Sequence, residues 1–360
     1  MKLCVTATAI ATLSSISMGG DIVVDGSLDK AYGSANTLQN TQTGYGDSTL
    51  GLIDFANGSE LDAGYSVIQG DTLYVLFAGN LESTFNKIDV FIDARDGGQN
   101  RLLGNNVDID FDALNRMGDD GTGNGLTFDN GFDADFWFSM TCGGDTFETF
   151  ANAATLPTKG EGFGEFLGIG GAGAEGVITA ANGMQVAINN SNTGGVGFGE
   201  GLGCGEGVST GIELAIPLSL FDWDGDAGTI KSVKICAFMN NSAHDFVSNQ
   251  VLGGLEGSGN LGEPRAINFR KLAGLQYFMT GDIADPCPEI SGACCFGNDC
   301  SDLNETDCVA LGGEYQGDGS FCNGNPAPCA PEPCAGDANG DGDVNVEDIL
   351  EVIANWGCTP

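Results

Sequence analysis

Histidine is almost missing from this chain, and the one that occurs, His244 among 360 residues, limits the chemistry open to it. A Ser/His/Asp or Cys/His catalytic arrangement has to use that residue. Its setting, Asn240-Asn241-Ser242-Ala243-His244-Asp245, offers neither a nucleophile elbow nor a papain-like context. A loop or surface position is the simpler reading. A zinc or iron site built from several histidines is excluded. Lysine and arginine are scarce too, 12 against 50 Asp and Glu, for a formal net charge of -38. Such a chain repels the phosphate backbone of DNA or RNA and anionic membrane surfaces, and it attracts divalent cations. No run reaches the roughly 20 apolar residues of a membrane span, so membrane insertion is not expected.

What is present points to a folded β protein. Hydrophobic residues make up 41% of the chain, enough to bury a core in spite of the charge. Its 59 glycines imply many turns and little long helix. Alternating apolar stretches at 72–78, 87–94, 134–140, 185–189, 209–217 and 232–239 read as strands, separated by turn clusters such as Arg95-Asp96-Gly97-Gly98 and Asp129-Asn130-Gly131. The fold class expected is mainly β: an antiparallel β-sandwich over 21–281, then a small disulfide-rich module over 286–331 and a calcium loop-helix unit over 332–360. Residues 1–20, with Lys2, then small and apolar residues and no acid until Asp21, read as a secretory signal peptide. The expected location is therefore outside the cell or on its surface.

The stretches Ile22-Val23-Val24-Asp25-Gly26-Ser27-Leu28-Asp29, Gly70-Asp71-Thr72-Leu73-Tyr74-Val75 and Val90-Phe91-Ile92-Asp93 resemble the opening of DOMON and family 9 carbohydrate-binding-module sandwiches. Members of those families bind sugars or, in some branches, haem. The resemblance implies a polysaccharide or surface ligand for the sandwich.

The module over 286–331 holds Cys294, Cys295, Cys300, Cys308, Cys322 and Cys329. Six cysteines in so short a segment imply three disulfides, with fifteen pairings open. The run from Gly292-Ala293-Cys294-Cys295 to Asp307-Cys308-Val309-Ala310-Leu311-Gly312-Gly313 resembles a Cys-rich repeat of exported planctomycete proteins. Cys334 and Cys358 flank the last unit and would close it if they pair. Cys142, Cys204, Cys236 and Cys287 make two further pairs at most.

Between Cys334 and Cys358, Asp337, Asn339 and Asp341 stand at positions 1, 3 and 5 of a twelve-residue loop, Gly342 at position 6, Asp343 at position 7 and Asp348 at position 12. Side-chain oxygens at this spacing, with the Asp343 carbonyl, are the donors of a calcium loop. Val346, Ile349, Leu350, Ile353 and Trp356 follow at helical spacing. One such loop with one following helix resembles half of a type I dockerin, which implies a cohesin-like protein partner. A second cation site is expected in the sandwich from Asp93, Asp96, Asp108 and Asp110, since alternation along a strand would put Asp108, Asp110 and Asp112 on one face. Trp137 reads as core. Trp223, between two aspartates in a Gly-bearing loop, is the better ligand-facing ring.

These readings combine into a secreted calcium-binding protein that acts by binding and not by catalysis. Two alternatives stay open: a structural component of an extracellular matrix or surface layer, and an accessory or enzyme of polysaccharide degradation.

Overall fold

The structure is a computed structural model that describes residues 20–199, 201–222, 230–287, 291–317, 320, 322, 329, 338 and 343–354. It divides into two compact units, one ending at residue 288 and the other running from 289 to 360. The first therefore continues past 281, the boundary expected from composition.

In chain order the first unit contains β1 (Thr37–Leu38), β2 (Glu60–Gln69), β3 (Thr72–Asn80), β4 (Thr84–Asp93), α1 (Ala113–Met117), β5 (Phe136–Gly143), β6 (Glu148–Thr155), β7 (Gly164–Gly170), β8 (Ile178–Thr179), β9 (Gln185–Ile188), β10 (Gly211–Pro217), β11 (Lys234–Asn240), β12 (Val247–Val251) and β13 (Phe278–Met279). They form two antiparallel sheets. One has the order β1-β2-β3-β10-β9-β8, and the other β12-β11-β4-β5-β6-β7 with β13 also on β11. This is the mainly β class expected, and all six strands anticipated from alternation are present.

Side chains alternate across each strand, so each sheet has two faces to cover. Ile88, Val90 and Ile92 of β4 and Phe136, Phe138 and Met140 of β5 turn to one side. There they meet Leu73, Val75 and Phe77 of β3 and Ile212, Leu214 and Ile216 of β10 in the main core. The register that pairs Phe91 with Trp137, Asp89 with Ser139 and Lys87 with Thr141 sets the opposite face. At the Phe91 end that face carries a second core, in which Phe91, Trp137 and Phe238 are covered by Phe128, Phe132 and Phe269. Rings pack closely there, Phe91 and Phe128 tilted against each other with centroids 4.8 Å apart. Trp137 is fully buried, as its sequence context suggested. The Lys87 end of the same face has no such cover, and that leaves room for a site.

In the second unit β14 (Gly292–Phe296) pairs with β15 (Asp299–Leu303) and β16 (Glu314–Tyr315), next to the short helix α2 (Glu305–Ala310). Asn304 caps α2 by accepting a hydrogen bond from the Asp307 amide at 2.8 Å. Of the fifteen ways to pair the six cysteines, one is adopted: Cys294–Cys308, Cys295–Cys329 and Cys300–Cys322. A fourth bond, Cys204–Cys287, ties the first unit together, while Cys142 and Cys236 are buried free thiols. Helix α3 (Val346–Ala354) follows the expected calcium loop. Among the described residues, no helix is long and apolar enough to cross a membrane.

Candidate functional site

Beyond Trp137 the outer face of the second sheet opens into a groove of about 740 Å³, a volume usual for ligand clefts. Its floor comes from Lys87, Thr141 and Asn152 on neighbouring strands, and its walls include the rings of Phe85, Phe111, Phe150 and Phe166. A cleft of about 400 Å³ beside the 282–287 segment is lined by no aromatic side chain.

The rings are held in place at a cost. Phe111 is 99% exposed, and it sits in the middle of three successive residues with left-handed backbone, Asp110, Phe111 and Asp112, at φ 49°, 55° and 67°. That conformation costs a residue with a side chain about 1–2 kcal/mol. Phe85 is left-handed too (φ 65°), at the irregularity where the pairing of β4 with β5 shifts. Its ring lies on Gly143, where an added Cβ would stand 2.6 Å away, so only glycine leaves the space. Of the seven non-glycine residues with positive φ among the described residues, Phe85, Asp110 and Phe111 line the groove and His244 supports it. Strain concentrated in this way marks sites where geometry serves something other than stability.

A charged cluster beneath the groove fixes the strained turn. Lys87 Nζ donates to Asp110 Oδ2 at 2.9 Å, and His244 Nε2 meets the same oxygen at 3.1 Å. Among the described residues nothing donates to Asp110 Oδ1. On its other side His244 Nδ1 meets Asp89 Oδ2 at 3.1 Å. Asp89 also accepts from Trp137 Nε1 and Asn240 Nδ2, both at 3.0 Å. Burial alone would lower the His244 pKa, but the two carboxylates outweigh it and raise the net value. Asp110 is likewise opposed by burial yet held below the usual carboxylate range by His244 and Lys87. Both imidazole nitrogens are thus committed to carboxylates, Nδ1 to Asp89 and Nε2 to Asp110, with the Lys87 amine on the same Asp110 oxygen.

His244 lies in the loop between β11 and β12, one of the two positions expected, but at 2% exposure it is buried there and not on the surface. The cation site expected from Asp93, Asp96, Asp108 and Asp110 is not assembled. Lys87 and Asp93 are six residues apart on β4, about 20 Å at the rise of a strand; Asp110 binds the first and Lys234 Nζ binds the second at 2.8 Å. Asp96 is exposed in a turn, and Asp108 lines the groove. Nor do Asp108, Asp110 and Asp112 share a strand face, because the chain turns left-handed there. Trp223, Asp337, Asn339, Asp341, Cys334, Cys358 and the expected signal segment lie outside the described residues.

At the closing position of the expected calcium loop, the buried Asp348 carboxylate accepts from the Ala338 amide at 2.7 Å and the Asn345 amide at 2.6 Å. Its two oxygens thus reach the amides at positions 2 and 9 of the expected loop. Asp343 is exposed, with its carbonyl the expected donor. On α3, Val346, Ile349, Leu350 and Ile353 are all exposed.

Sequence reasoning passed over Phe85, Phe111, Phe166 and Lys87. The one available cue was a phenylalanine set between aspartates in Asp110-Phe111-Asp112. The chain matches no family model, no curated protein and no solved structure.

Proposed function

We propose that this is a secreted, calcium-binding, non-catalytic protein whose sandwich recognises polysaccharide in the groove between Phe85, Phe111 and Phe166. The observation that carries the reading is Phe111, a fully solvent-facing ring on a left-handed turn that is clamped by buried ion pairs. A pyranose offers flat patches of C–H bonds to such rings and hydroxyls to Asp110, Asp108, Asn152 and Lys87, which stand among them. The committed state of His244 supports binding over catalysis. In the C-terminal unit, Asp337, Asn339, Asp341, the Asp343 carbonyl and Asp348 would hold calcium. Its role there is structural, with a dissociation constant on the order of 10⁻⁴ to 10⁻³ M. The exposed apolar residues of α3 suit a protein partner of the cohesin kind.

The test is a pull-down of the full chain on insoluble polysaccharides, with calcium and with EDTA, comparing the parent with Phe111→Gly. Glycine removes the ring and adopts positive φ freely, so lost stability cannot account for lost binding. Retention on one polymer, weakened by up to roughly tenfold in the variant, is the expected outcome. Equal retention of both proteins would remove the groove from the reading, and no retention on any polymer would favour a structural role in an extracellular matrix.

A further inference from the structure

A second cluster of buried acids lies outside the groove, at the end of the first sheet where the 45–59 and 190–205 segments meet the start of β2. Glu60 and Asp62 are both fully buried. In a regular strand they would share a face, and the pairing of β2 with β3 shifts at Asp62, a bulge of the kind that re-aims side chains. The Asn192 side-chain nitrogen is surrounded by four oxygens: Glu60 Oε1 at 2.9 Å, Asp62 Oδ2 at 3.1 Å, Asn80 Oδ1 at 3.2 Å and the Gly194 carbonyl at 2.7 Å. An amide nitrogen carries two hydrogens, so it cannot satisfy four acceptors.

The remaining oxygen, Glu60 Oε2, is buried and has no hydrogen-bond partner. The group beside it is another carboxylate, Asp47, which when ionised has no proton to give. Among the described residues no lysine, arginine or histidine pairs with Glu60, Asp62 or Asp47. The three carboxylates do not all come within 4.8 Å of one another. Burial first, and then the neighbouring carboxylates, push the Glu60 and Asp62 carboxyls well above their ordinary range, so each must hold a proton or gain a counter-charge. Asp62 is held in place from its other oxygen, which accepts from the Val196 amide at 2.8 Å. Gly195, with φ 106°, lies so close to that oxygen that a side chain there would collide with it.

We infer that Glu60, Asp62, Asn80, the Gly194 carbonyl and Asp47 form a structural site for a hard divalent cation, with calcium the fitting ion. The donors are all oxygen, mixed between carboxylate, amide and carbonyl, and come from strand ends and loops that can adjust to six to eight ligands. The ion would fasten the 45–59 and 190–205 segments to the sheet. It is separate from the loop closed by Asp348 and from the glycan groove.

The experiment uses the full chain carrying Asp348→Ala, which silences the C-terminal loop, stripped with chelator and titrated with calcium in a calorimeter. One bound equivalent is expected, weakened at least tenfold by adding Glu60→Gln or Asp62→Asn. No binding in the Asp348→Ala chain, or binding that both added substitutions leave unchanged, would overturn the site. Should the added substitutions unfold the protein, calcium anomalous scattering from crystals of the parent decides. A peak within about 2.6 Å of the Glu60 and Asp62 carboxylates sustains the site, and its absence at saturating calcium overturns it.

Discussion

His244 lies between Asp89 and Asp110, with Lys87 beside them on Asp110. Its folded pKa is raised above the unfolded value of about 6.5. A group of that kind contributes stability fully below the unfolded pKa and loses it as pH rises through the folded pKa. In that window the folded state holds a proton the unfolded state has released, so stability should fall by up to about 1.4 kcal/mol per pH unit from this residue. Urea unfolding at a series of pH values above neutrality measures the slope. His244→Gln should flatten it, and should lower stability by roughly 3–5 kcal/mol because Asp89 and Asp110 lose a buried partner. A slope identical in the variant would show that other groups set it. The same substitution should loosen the turn that presents Phe111, so that glycan retention falls along with stability.

Among the elements, the Cys204–Cys287 bond has the longest reach. It joins the segment before β10 to the one after β13 and closes a loop of 83 residues. Chain entropy alone assigns such a crosslink roughly 4–5 kcal/mol. Replacing both cysteines by alanine should lower the unfolding free energy by up to that amount in urea titration. A loss under about 1 kcal/mol would mean that hydrogen bonds such as Ala284 N to Ala35 O, at 2.9 Å, hold the 282–287 segment unaided. No spacing in the sequence singles out this pair, whereas strands such as β4 and β10 are legible because runs of Ile, Val, Leu and Phe alternate to fill one core. β2 and β12 were hidden for a different reason. The buried polar residues of β12 are paired with a distant loop and with β2 itself: Asn249 Oδ1 accepts from the Gly44 amide at 2.8 Å and Gln250 Oε1 from the Leu61 amide at 3.0 Å. The groove was illegible in the same way. Phe85, Phe111 and Phe166 are far apart in sequence, and only pairing in the second sheet and a left-handed turn bring them together.

For the whole molecule the governing quantity is a net charge of -38, which works against compactness through self-repulsion. Part of that charge is neutralised locally, by pairs such as Lys87–Asp110 and Lys234–Asp93, but twelve basic residues cannot match fifty acidic ones. On the present reading calcium makes up some of the difference at two places, the loop closed by Asp348 and the cluster of Glu60 and Asp62. Removing it has two consequences that depend differently on salt. The loss of bound ligand destabilises by mass action at any ionic strength. The restored repulsion among carboxylates is long-ranged at about 0.01 M salt, where the Debye length is about 30 Å, and largely screened at about 0.15 M, where it is about 8 Å. EDTA should therefore lower the melting temperature in both buffers, and lower it more in the dilute one. An equal drop would assign the effect to ligand loss alone, and an unchanged melting temperature in either buffer would contradict a structural role for calcium in this fold.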